Sequence, residues 1–286
     1  MLEINLPSTY NYIGIFLTLA CNLKCSYCIN HLSGQAKKSK ILSAEQWRLF
    51  FERLNITSDL RLTIQGGEPS VHPQFYQILN YIPQNINIDL LTNIRFDPKE
   101  FVKKVSANRF KPHTHYPSIR VSYHPETMSL TETIEKVKVM QEHGFSIGVY
   151  CVDHPSYAEE IVKARAEADK HNVFFKTKEF LGVIGNKIYG NYKYTDSVFN
   201  QKFSQCLCKT SELLVAPNGL VYRCHHDLYN EFNSIGDALD DNFTIEDKFR
   251  SCDKLGNCNP CDVKIKNNRF QIWGHTSVEI KNIQSI

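Results

Sequence analysis

The sequence lacks any segment suited to secretion or to crossing a membrane. Its first residues have neither the basic start nor the apolar core of a signal peptide, and the most apolar early run, residues 13–20, is too short to span a bilayer. A formal net charge of +3 over 286 residues gives no reason to expect binding to nucleic acid or to an anionic membrane. These absences predict a cytoplasmic protein without nucleic-acid or membrane partners.

Cysteine, in contrast, is abundant, with ten residues in the chain. In a reducing compartment, thiols are more often metal ligands than disulfide partners. The cysteines are also grouped: three lie at positions 21, 25 and 28, six lie between 206 and 261, and Cys151 stands alone. The grouping indicates two separate metal sites.

Residues 12–181 alternate short apolar strands with amphipathic helices. The predicted strands are 12–20, 60–65, 86–93, 118–124, 146–152 and 173–180. Helix starts are marked by capping signals at Ser43 with Gln46, Asp97 with Pro98, Ser129 with Glu132, and Ser156 with Glu159. Six β-then-α units predict a parallel sheet with helices outside it, which right-handed crossovers curl toward a barrel.

The predicted strands carry aliphatic side chains on one face and mostly polar side chains on the other. Because side chains alternate along a strand, the apolar face is expected to meet the helices and the polar face to line the interior. A closed eight-stranded barrel fills its interior with aliphatic side chains. The polar lining therefore predicts an open barrel that holds something polar.

A change of pattern after Leu181 predicts a second domain. Residues 182–205 are rich in Gly, Asn and Tyr without a clear period, and Asn218-Gly219 between two apolar runs predicts a β-hairpin. The remaining cysteines flank this hairpin. The fold class is therefore α/β, with a barrel over residues 1–181 and a small cysteine-rich β-hairpin/α domain over residues 182–286.

The first cysteine group, Cys21, Cys25 and Cys28, directly follows the first strand. A 4Fe–4S cluster normally takes four thiolates, so a loop with three leaves one iron without a protein ligand. S-adenosylmethionine (SAM) can chelate that iron, and an electron from the cluster can then break its sulfonium bond to start radical chemistry. A structural zinc loop is the alternative, although such loops usually contain a second C-x2-C pair.

Two motifs together resemble the radical SAM superfamily. Its C-x3-C-x2-C signature has an aromatic residue before the last cysteine, here Tyr27, and a Gly-Gly-Glu-Pro motif that binds the amino group of SAM. The second motif is present as Gly66, Gly67 and Glu68 followed by Pro69, although an ordinary turn could carry it alone. The resemblance implies a partial (β/α)6 barrel that uses a 4Fe–4S cluster, SAM and an electron donor such as flavodoxin or ferredoxin.

Two further positions resemble cofactor contacts of this superfamily, and a third is suited to bind the cofactor. Asn93 resembles a ribose-contacting residue, and Ser122 resembles a fourth-strand serine that touches SAM. For Lys176, binding of the SAM carboxylate or of a substrate phosphate is the expected role. A polar residue at a strand end without any ligand is the alternative for Asn93 and Ser122.

The second cysteine group has the pattern C-x10-G-x4-C followed by C-x5-C-x2-C. Such thiols can close a tetrahedral site for zinc or bind an iron–sulfur cluster. The pattern resembles the SPASM and Twitch domains that follow radical SAM barrels, but the tail is shorter than in SPASM. The resemblance therefore implies one auxiliary 4Fe–4S cluster, on Cys208, Cys224, Cys258 and Cys261. Cys206 and Cys252 are then spare thiols, with replacement of one of these ligands as the alternative.

The auxiliary cluster of Twitch relatives can accept an electron from a substrate radical, which implies a net oxidation that needs a base. The candidates on the interior face are Tyr150, His124 and Lys178. Cys151 as a hydrogen-atom donor is less favoured than Cys151 as a small core residue.

Three functions remain open at this point. The first is a dehydrogenase or epimerase acting on a small polar molecule such as a sugar, cyclitol or nucleotide sugar. The second is a peptide-modifying maturase, ranked lower because only about a dozen residues precede the first strand and the cysteine tail is short. The third, a zinc-stabilised binding protein, conflicts with the intact cysteine and Gly-Gly-Glu motifs.

Overall fold

The computed structural model describes residues 2–29, 40–56, 59–111, 116–200, 202–266 and 274–282. The strands in these ranges are β1 (Ile4–Asn5), β2 (Tyr12–Phe16), β3 (Leu54–Asn55), β4 (Leu62–Gln65), β5 (Ile88–Thr92), β6 (Ile119–Tyr123), β7 (Ile147–Asp153), β8 (Phe175–Glu179), β9 (Gly182–Ile184), β10 (Lys187–Tyr189), β11 (Ser204–Thr210), β12 (Glu212–Val215), β13 (Leu220–Tyr222), β14 (Gly236–Asp237), β15 (Arg250–Leu255) and β16 (Val278–Asn282). The α-helices are α1 (Ala44–Arg53), α2 (Phe75–Tyr81), α3 (Pro98–Lys104), α4 (Leu130–Glu142), α5 (Ala158–Lys170), α6 (His225–Asn230) and α7 (Pro260–Val263). None of the helices in these ranges has both the length and the apolar character that a membrane crossing requires.

The largest sheet contains the six strands that the β-α alternation predicts. Strands β2, β4, β5, β6, β7 and β8 lie side by side in chain order, and each neighbouring pair is parallel. Helices connect the strands from β4 to β8, and α1 lies between β2 and β4. The predicted partial (β/α)6 barrel is confirmed.

The hairpin in the C-terminal part of the chain extends this same sheet. Strand β12 pairs parallel with β2, β13 pairs antiparallel with β12, and β14 pairs antiparallel with β13. The predicted turn at Asn218-Gly219 forms, and Gly219 adopts the left-handed conformation there, with φ +88°. The boundary between residues 181 and 182 stays a prediction, but the hairpin beyond it is hydrogen-bonded to the barrel.

The aliphatic strand faces pack against the helices, as predicted. Ile13 and Ile15 of β2 belong to one buried cluster with Trp47, Phe50 and Phe51 of α1, and all five are fully buried. The Trp47 and Phe51 rings stack with centroids 5.7 Å apart. Burial of one such side chain stabilises the folded chain by roughly 1.5–3 kcal/mol. The aliphatic faces are therefore held against the helices, and the polar faces of the strands point toward the interior.

Three of the predicted helix starts are confirmed by side-chain caps and one is wrong. Ser43 forms a capping box with Gln46, and the Asp97 and Ser129 side chains accept hydrogen bonds from the first turns of α3 and α4. At the fourth start, the Ser156 amide donates to Nδ1 of His154 at 3.2 Å. His154 therefore caps a 3-10 turn, and α5 begins later, at Ala158, without a side-chain cap.

Candidate active site

A cavity of about 270 Å³ lies at the carboxyl ends of the parallel strands. Its wall is formed by the loop that follows β2 and by the residues that end β4, β5, β6 and β7. Ligands of open α/β sheets bind at this edge because the loops there converge. The sequence-predicted residues that line the cavity are Cys21, Cys25, Tyr27, Cys28, Gly66, Gly67, Glu68, Asn93, Ser122 and His124.

The loop of residues 21–28, here the cluster loop, brings three thiols to this cavity. The Cys28 amide donates to the carbonyl of Cys25 at 3.1 Å, and the Leu23 amide donates to Sγ of Cys21 at 3.4 Å. Burial raises the pKa of the Cys25 thiol to about 11 and also raises that of Cys21. Coordination of a metal must therefore displace protons from these thiols.

The donor set of the cluster loop fits a 4Fe–4S cluster with one iron left open. Among the described residues that line the cavity, no cysteine other than those of the cluster loop is present. Thiolates are the usual ligands of such clusters, and three of them leave one coordination position for another molecule. The cavity beside the loop provides the space for that molecule.

Glu126 fixes the cluster loop from the end of β6. Its carboxylate accepts hydrogen bonds from the Ser26 amide at 2.6 Å and from the Ser26 hydroxyl at 2.9 Å. The Tyr157 hydroxyl donates to the same carboxylate at 2.9 Å. Sequence reasoning missed Glu126 because no local pattern connects it with a loop about 100 residues earlier.

The two glycines after β4 are required by a close approach between backbone segments. A Cβ atom on Gly66 would lie 2.1 Å from the carbonyl oxygen of Thr18, and one on Gly67 would lie 2.3 Å from that of Ala20. The Gly67 and Glu68 amides donate to these two carbonyls, at 2.8 Å and 2.9 Å. The Gly-Gly-Glu segment therefore holds the chain immediately before Cys21.

The Glu68 carboxylate is fully engaged by its own chain. It accepts hydrogen bonds from the Ser70 amide and hydroxyl, from the Thr92 hydroxyl, and from the Asn93 amide, at 2.6 to 3.1 Å. Burial raises the pKa of Glu68, while these four hydrogen bonds act to lower it. The side chain thereby fixes the end of β5.

Asn93 is placed beside the first cysteine. Its Nδ2 donates to Oδ1 of Asn22 at 2.7 Å and lies 3.9 Å from Sγ of Cys21. Its Oδ1 accepts from the Arg95 amide at 3.1 Å. Both the cluster loop and the end of β5 therefore orient this amide at the cavity wall.

Tyr27 and His124 form a polar pair in the cavity wall. The Tyr27 hydroxyl and Nδ1 of His124 are 2.9 Å apart. Burial lowers the pKa of His124 to about 4, so its imidazole is neutral at pH 7. The Tyr27 ring also packs on His154, with centroids 5.0 Å apart. A base role for His124 stays a prediction.

The other predicted catalytic or cofactor-binding residues lie outside the cavity lining. Tyr150 is buried on β7, where it pairs with Ser122 of β6. The Lys178 ammonium lies 5.2 Å from the centre of the Tyr150 ring, and Lys176 is exposed on β8. Their predicted roles remain untested by this geometry. Cys151 is buried in the aliphatic core, as favoured from the sequence.

Tyr229 is a cavity residue that sequence reasoning missed. It lies on α6 in the C-terminal part of the chain, and its ring contacts Phe16 of β2 edge-on, with centroids 6.0 Å apart. It reaches the cavity because β12 and β13 join the barrel sheet next to β2. That long-range pairing has no signal in the local sequence.

A second group of thiols lies on a separate three-stranded sheet of β15, β11 and β16. Sγ of Cys206 and Sγ of Cys208 are 3.5 Å apart, and the sulfurs of Cys206, Cys208 and Cys252 all lie within 4.8 Å of one another. These three residues are called the thiol trio below. Two of them, Cys206 and Cys252, are the thiols that the sequence pattern left as spare.

The other cysteines of this group lie in and near the helices α6 and α7. Cys224 caps α6, its sulfur accepting from the Asp227 amide at 3.4 Å, and Cys261 lies in α7. Burial raises the pKa of the Cys258 thiol, and so does negative charge on Asp262, Cys252 and Cys206. The ligand set predicted from the sequence stays a prediction.

A family model matches the first part of the barrel. Residues 15–111 match the family model for the Radical SAM superfamily. The chain carries a radical SAM domain. Enzymes of this superfamily use a 4Fe–4S cluster and SAM, and the donor set of the cluster loop fits the cluster.

Two curated relatives match part of this chain. The chain is 26% identical over 140 residues to the antilisterial bacteriocin subtilosin biosynthesis protein AlbA of Bacillus subtilis, a match that covers 46% of this chain and 31% of AlbA. It is 28% identical over 120 residues to the mycofactocin maturase MftC of Mycobacterium tuberculosis, covering 41% of this chain and 28% of MftC. The matches thus span less than a third of either relative.

Solved structures of low sequence identity share the fold. The structure of anSMEcpe with bound AdoMet and Cp18Cys peptide matches with a TM-score of 0.56 and 15% identity, covering 83% of this chain and 78% of that chain. Streptococcus suis SuiB bound to precursor peptide SuiA matches with a TM-score of 0.52 and 13% identity, over 83% and 64%. BtrN in complex with AdoMet and 2-DOIA matches with a TM-score of 0.50 and 12% identity, over 95% and 99%.

Proposed function

We propose that this radical SAM enzyme modifies a peptide. The observation that carries the proposal is the character of its relatives: AlbA is a bacteriocin biosynthesis protein, MftC is a maturase, and the SuiB and anSMEcpe structures hold peptides. This reverses the order of the functions predicted from the sequence, which placed a small polar substrate first.

The residues around the cavity have distinct roles in this proposal. Cys21, Cys25 and Cys28 of the cluster loop would hold a 4Fe–4S cluster, which would supply the electron for reductive cleavage of SAM and so for hydrogen abstraction from the substrate. The backbone of Gly66 and Gly67 and the amide of Asn93 bind polar groups of SAM. The neutral Tyr27–His124 pair forms a polar part of the wall that carries no net charge.

The small size of the cavity supports a substrate of which only one part enters the barrel. At about 270 Å³ the cavity is small, since ligand pockets commonly measure roughly 300–1,000 Å³. A peptide can insert one side chain from the open edge of the barrel while the rest of its backbone stays outside.

The proposal is tested by anaerobic incubation of the reconstituted enzyme with SAM and a reductant. Short peptides encoded beside its gene are compared with cyclitols and nucleotide sugars, and the release of 5′-deoxyadenosine is measured with the mass of each substrate. We expect a peptide to increase this release and to lose two hydrogen atoms per crosslink formed. Stimulation by a cyclitol or a nucleotide sugar, with no peptide modified, would contradict the proposal.

A dehydrogenase acting on a small polar molecule is the second candidate. It is favoured by BtrN, a solved structure with 2-DOIA bound, whose match covers nearly the whole of both chains. The residues predicted to handle the alcohol proton are His124 at the cavity wall, and Tyr150 and Lys178, whose ammonium lies 5.2 Å from the centre of the Tyr150 ring. In the same assay, this function predicts oxidation of the small molecule.

A further inference from the structure

We propose that Cys206, Cys208 and Cys252 bind an auxiliary iron–sulfur cluster, with Cys258 as the fourth ligand. The assignment makes ligands of two thiols, Cys206 and Cys252, that the C-x10-G-x4-C and C-x2-C patterns leave out. It also excludes Cys224 and Cys261, which those patterns include. It concerns the metal site alone and does not depend on the substrate proposed above.

The strand geometry brings the thiol trio together. Residues two apart on a strand project from the same face, so the C-x-C pattern of β11 places Cys206 and Cys208 side by side. Cys252 of β15 lies directly opposite Cys206 in the antiparallel ladder. Side chains of such cross-strand pairs are direct neighbours, and the observed sulfur separations, all within 4.8 Å, follow from this register.

The sheet makes the trio a fixed site. Strand β11 is paired on its other edge with β16, where Cys206 faces Asn282 and Cys208 faces Ile280. A ligand pair on the central strand of a sheet is held by backbone hydrogen bonds on both sides. The positions of metal ligands on such elements are fixed more precisely than those on loops. Among the described residues, no other group of three metal-ligating side chains meets the same distance.

Three converging thiols favour a metal centre over a disulfide. A disulfide joins two sulfurs about 2.05 Å apart, whereas Cys206 and Cys208 are separated by 3.5 Å and a third thiol is within reach of both. Soft thiolate sets select iron–sulfur clusters or zinc. Cys258, which the sequence pattern also assigns to the cluster, would complete the four thiols that a complete 4Fe–4S site uses.

A buried cation beside the trio suits a negatively charged cluster. Arg223 is 4% exposed, and its guanidinium donates to the carbonyl of Ser251, next to Cys252, at 2.8 Å. It also pairs with Asp227 at 2.7 Å. Its Nε is buried and has no hydrogen-bond partner among the described residues. One donor of this cation is therefore available to a bound anionic group.

Two double variants separate this assignment from the one that the sequence pattern implies. Iron, sulfide and zinc are measured in the anaerobically reconstituted full chain. With two 4Fe–4S clusters the wild type holds about eight irons. We expect Cys206→Ala with Cys252→Ala to lower the iron to about four per chain, and Cys224→Ala with Cys261→Ala to leave it at the wild-type level.

Three results would overturn the assignment. They are full iron retention in the C206A/C252A variant, loss of iron in the C224A/C261A variant, and zinc in place of the second set of irons. Cys151→Ala controls for removal of a buried thiol. If the C206A/C252A variant does not fold by circular dichroism, the single variants C206A and C252A are measured instead and are expected to show the same loss. No substrate enters this measurement, so a negative peptide assay leaves its outcome unaffected.

Discussion

Glu68 illustrates how a residue of a binding motif can also fix the structure of the site around it. Its carboxylate is 1% exposed and accepts four hydrogen bonds from the chain. Those bonds fix Asn93, whose amide contacts the start of the cluster loop. The motif could be identified from the sequence, but this role could not, because the partners at Ser70, Thr92 and Asn93 converge only in the folded chain.

His124 gives the protein a specific pH dependence. Burial lowers its pKa to about 4 in the folded chain, whereas a histidine in an unfolded chain titrates near ~6.5. Between these values the unfolded chain binds a proton that the folded chain does not. The contribution of His124 to the unfolding free energy is therefore fully present above pH ~6.5. It decreases as the pH falls toward 4, by about 3 kcal/mol in total.

Replacement of His124 by Gln is expected to remove that dependence. Urea unfolding of the cluster-free protein is measured between pH 4.5 and 7. The slope of the unfolding free energy against pH should be lower in H124Q by up to about 1.4 kcal/mol per pH unit, which corresponds to one proton. His143→Gln, at the exposed end of α4, is the matched control. Equal slopes for H124Q and the wild type would show that His124 does not titrate in this way.

At the scale of elements, a carboxylate from another strand end holds the middle of the cluster loop. Glu126 accepts both the amide and the hydroxyl of Ser26, which lies between two of the three cysteines. Because the pair is partly exposed to solvent, its loss should destabilise the loop by about 1 kcal/mol. Glu126→Ala is therefore expected to raise the rate of iron release to a chelator by roughly fivefold.

Two variants control for this effect. Glu126→Gln keeps an acceptor and should release iron at an intermediate rate, and Glu132→Ala, an exposed acid on α4, should not differ from the wild type. Identical release rates for E126A and E132A would mean that Glu126 does not hold the loop.

The elements also show which features a sequence can predict. The caps at Ser43, Asp97 and Ser129 were predictable because a cap and its partner lie within one turn. The fourth cap was wrong because the His154 ring, two residues earlier, satisfies the Ser156 amide. The pairing of Cys206 with Cys252 depends on the register of two distant strands, which no local spacing contains.

For the whole molecule, the order of the six parallel strands was predictable and the extension of their sheet was not. Alternating strands and helices specify neighbouring parallel strands, since crossovers are right-handed and short. The parallel pairing of β12 with β2 joins opposite ends of the chain. It brings α6 and Tyr229 to the cavity of the cluster loop, so the barrel and the C-terminal region share one site.

The central claim is that the cluster loop holds a cluster that cleaves SAM. Its most direct test is the formation of 5′-deoxyadenosine from SAM under anaerobic, reducing conditions, compared between the wild type and the variant in which Cys21, Cys25 and Cys28 are all alanine. We predict that the wild type forms the product and that the variant forms none, even though the variant keeps its auxiliary iron. Product formation at the wild-type rate by the variant would contradict this account.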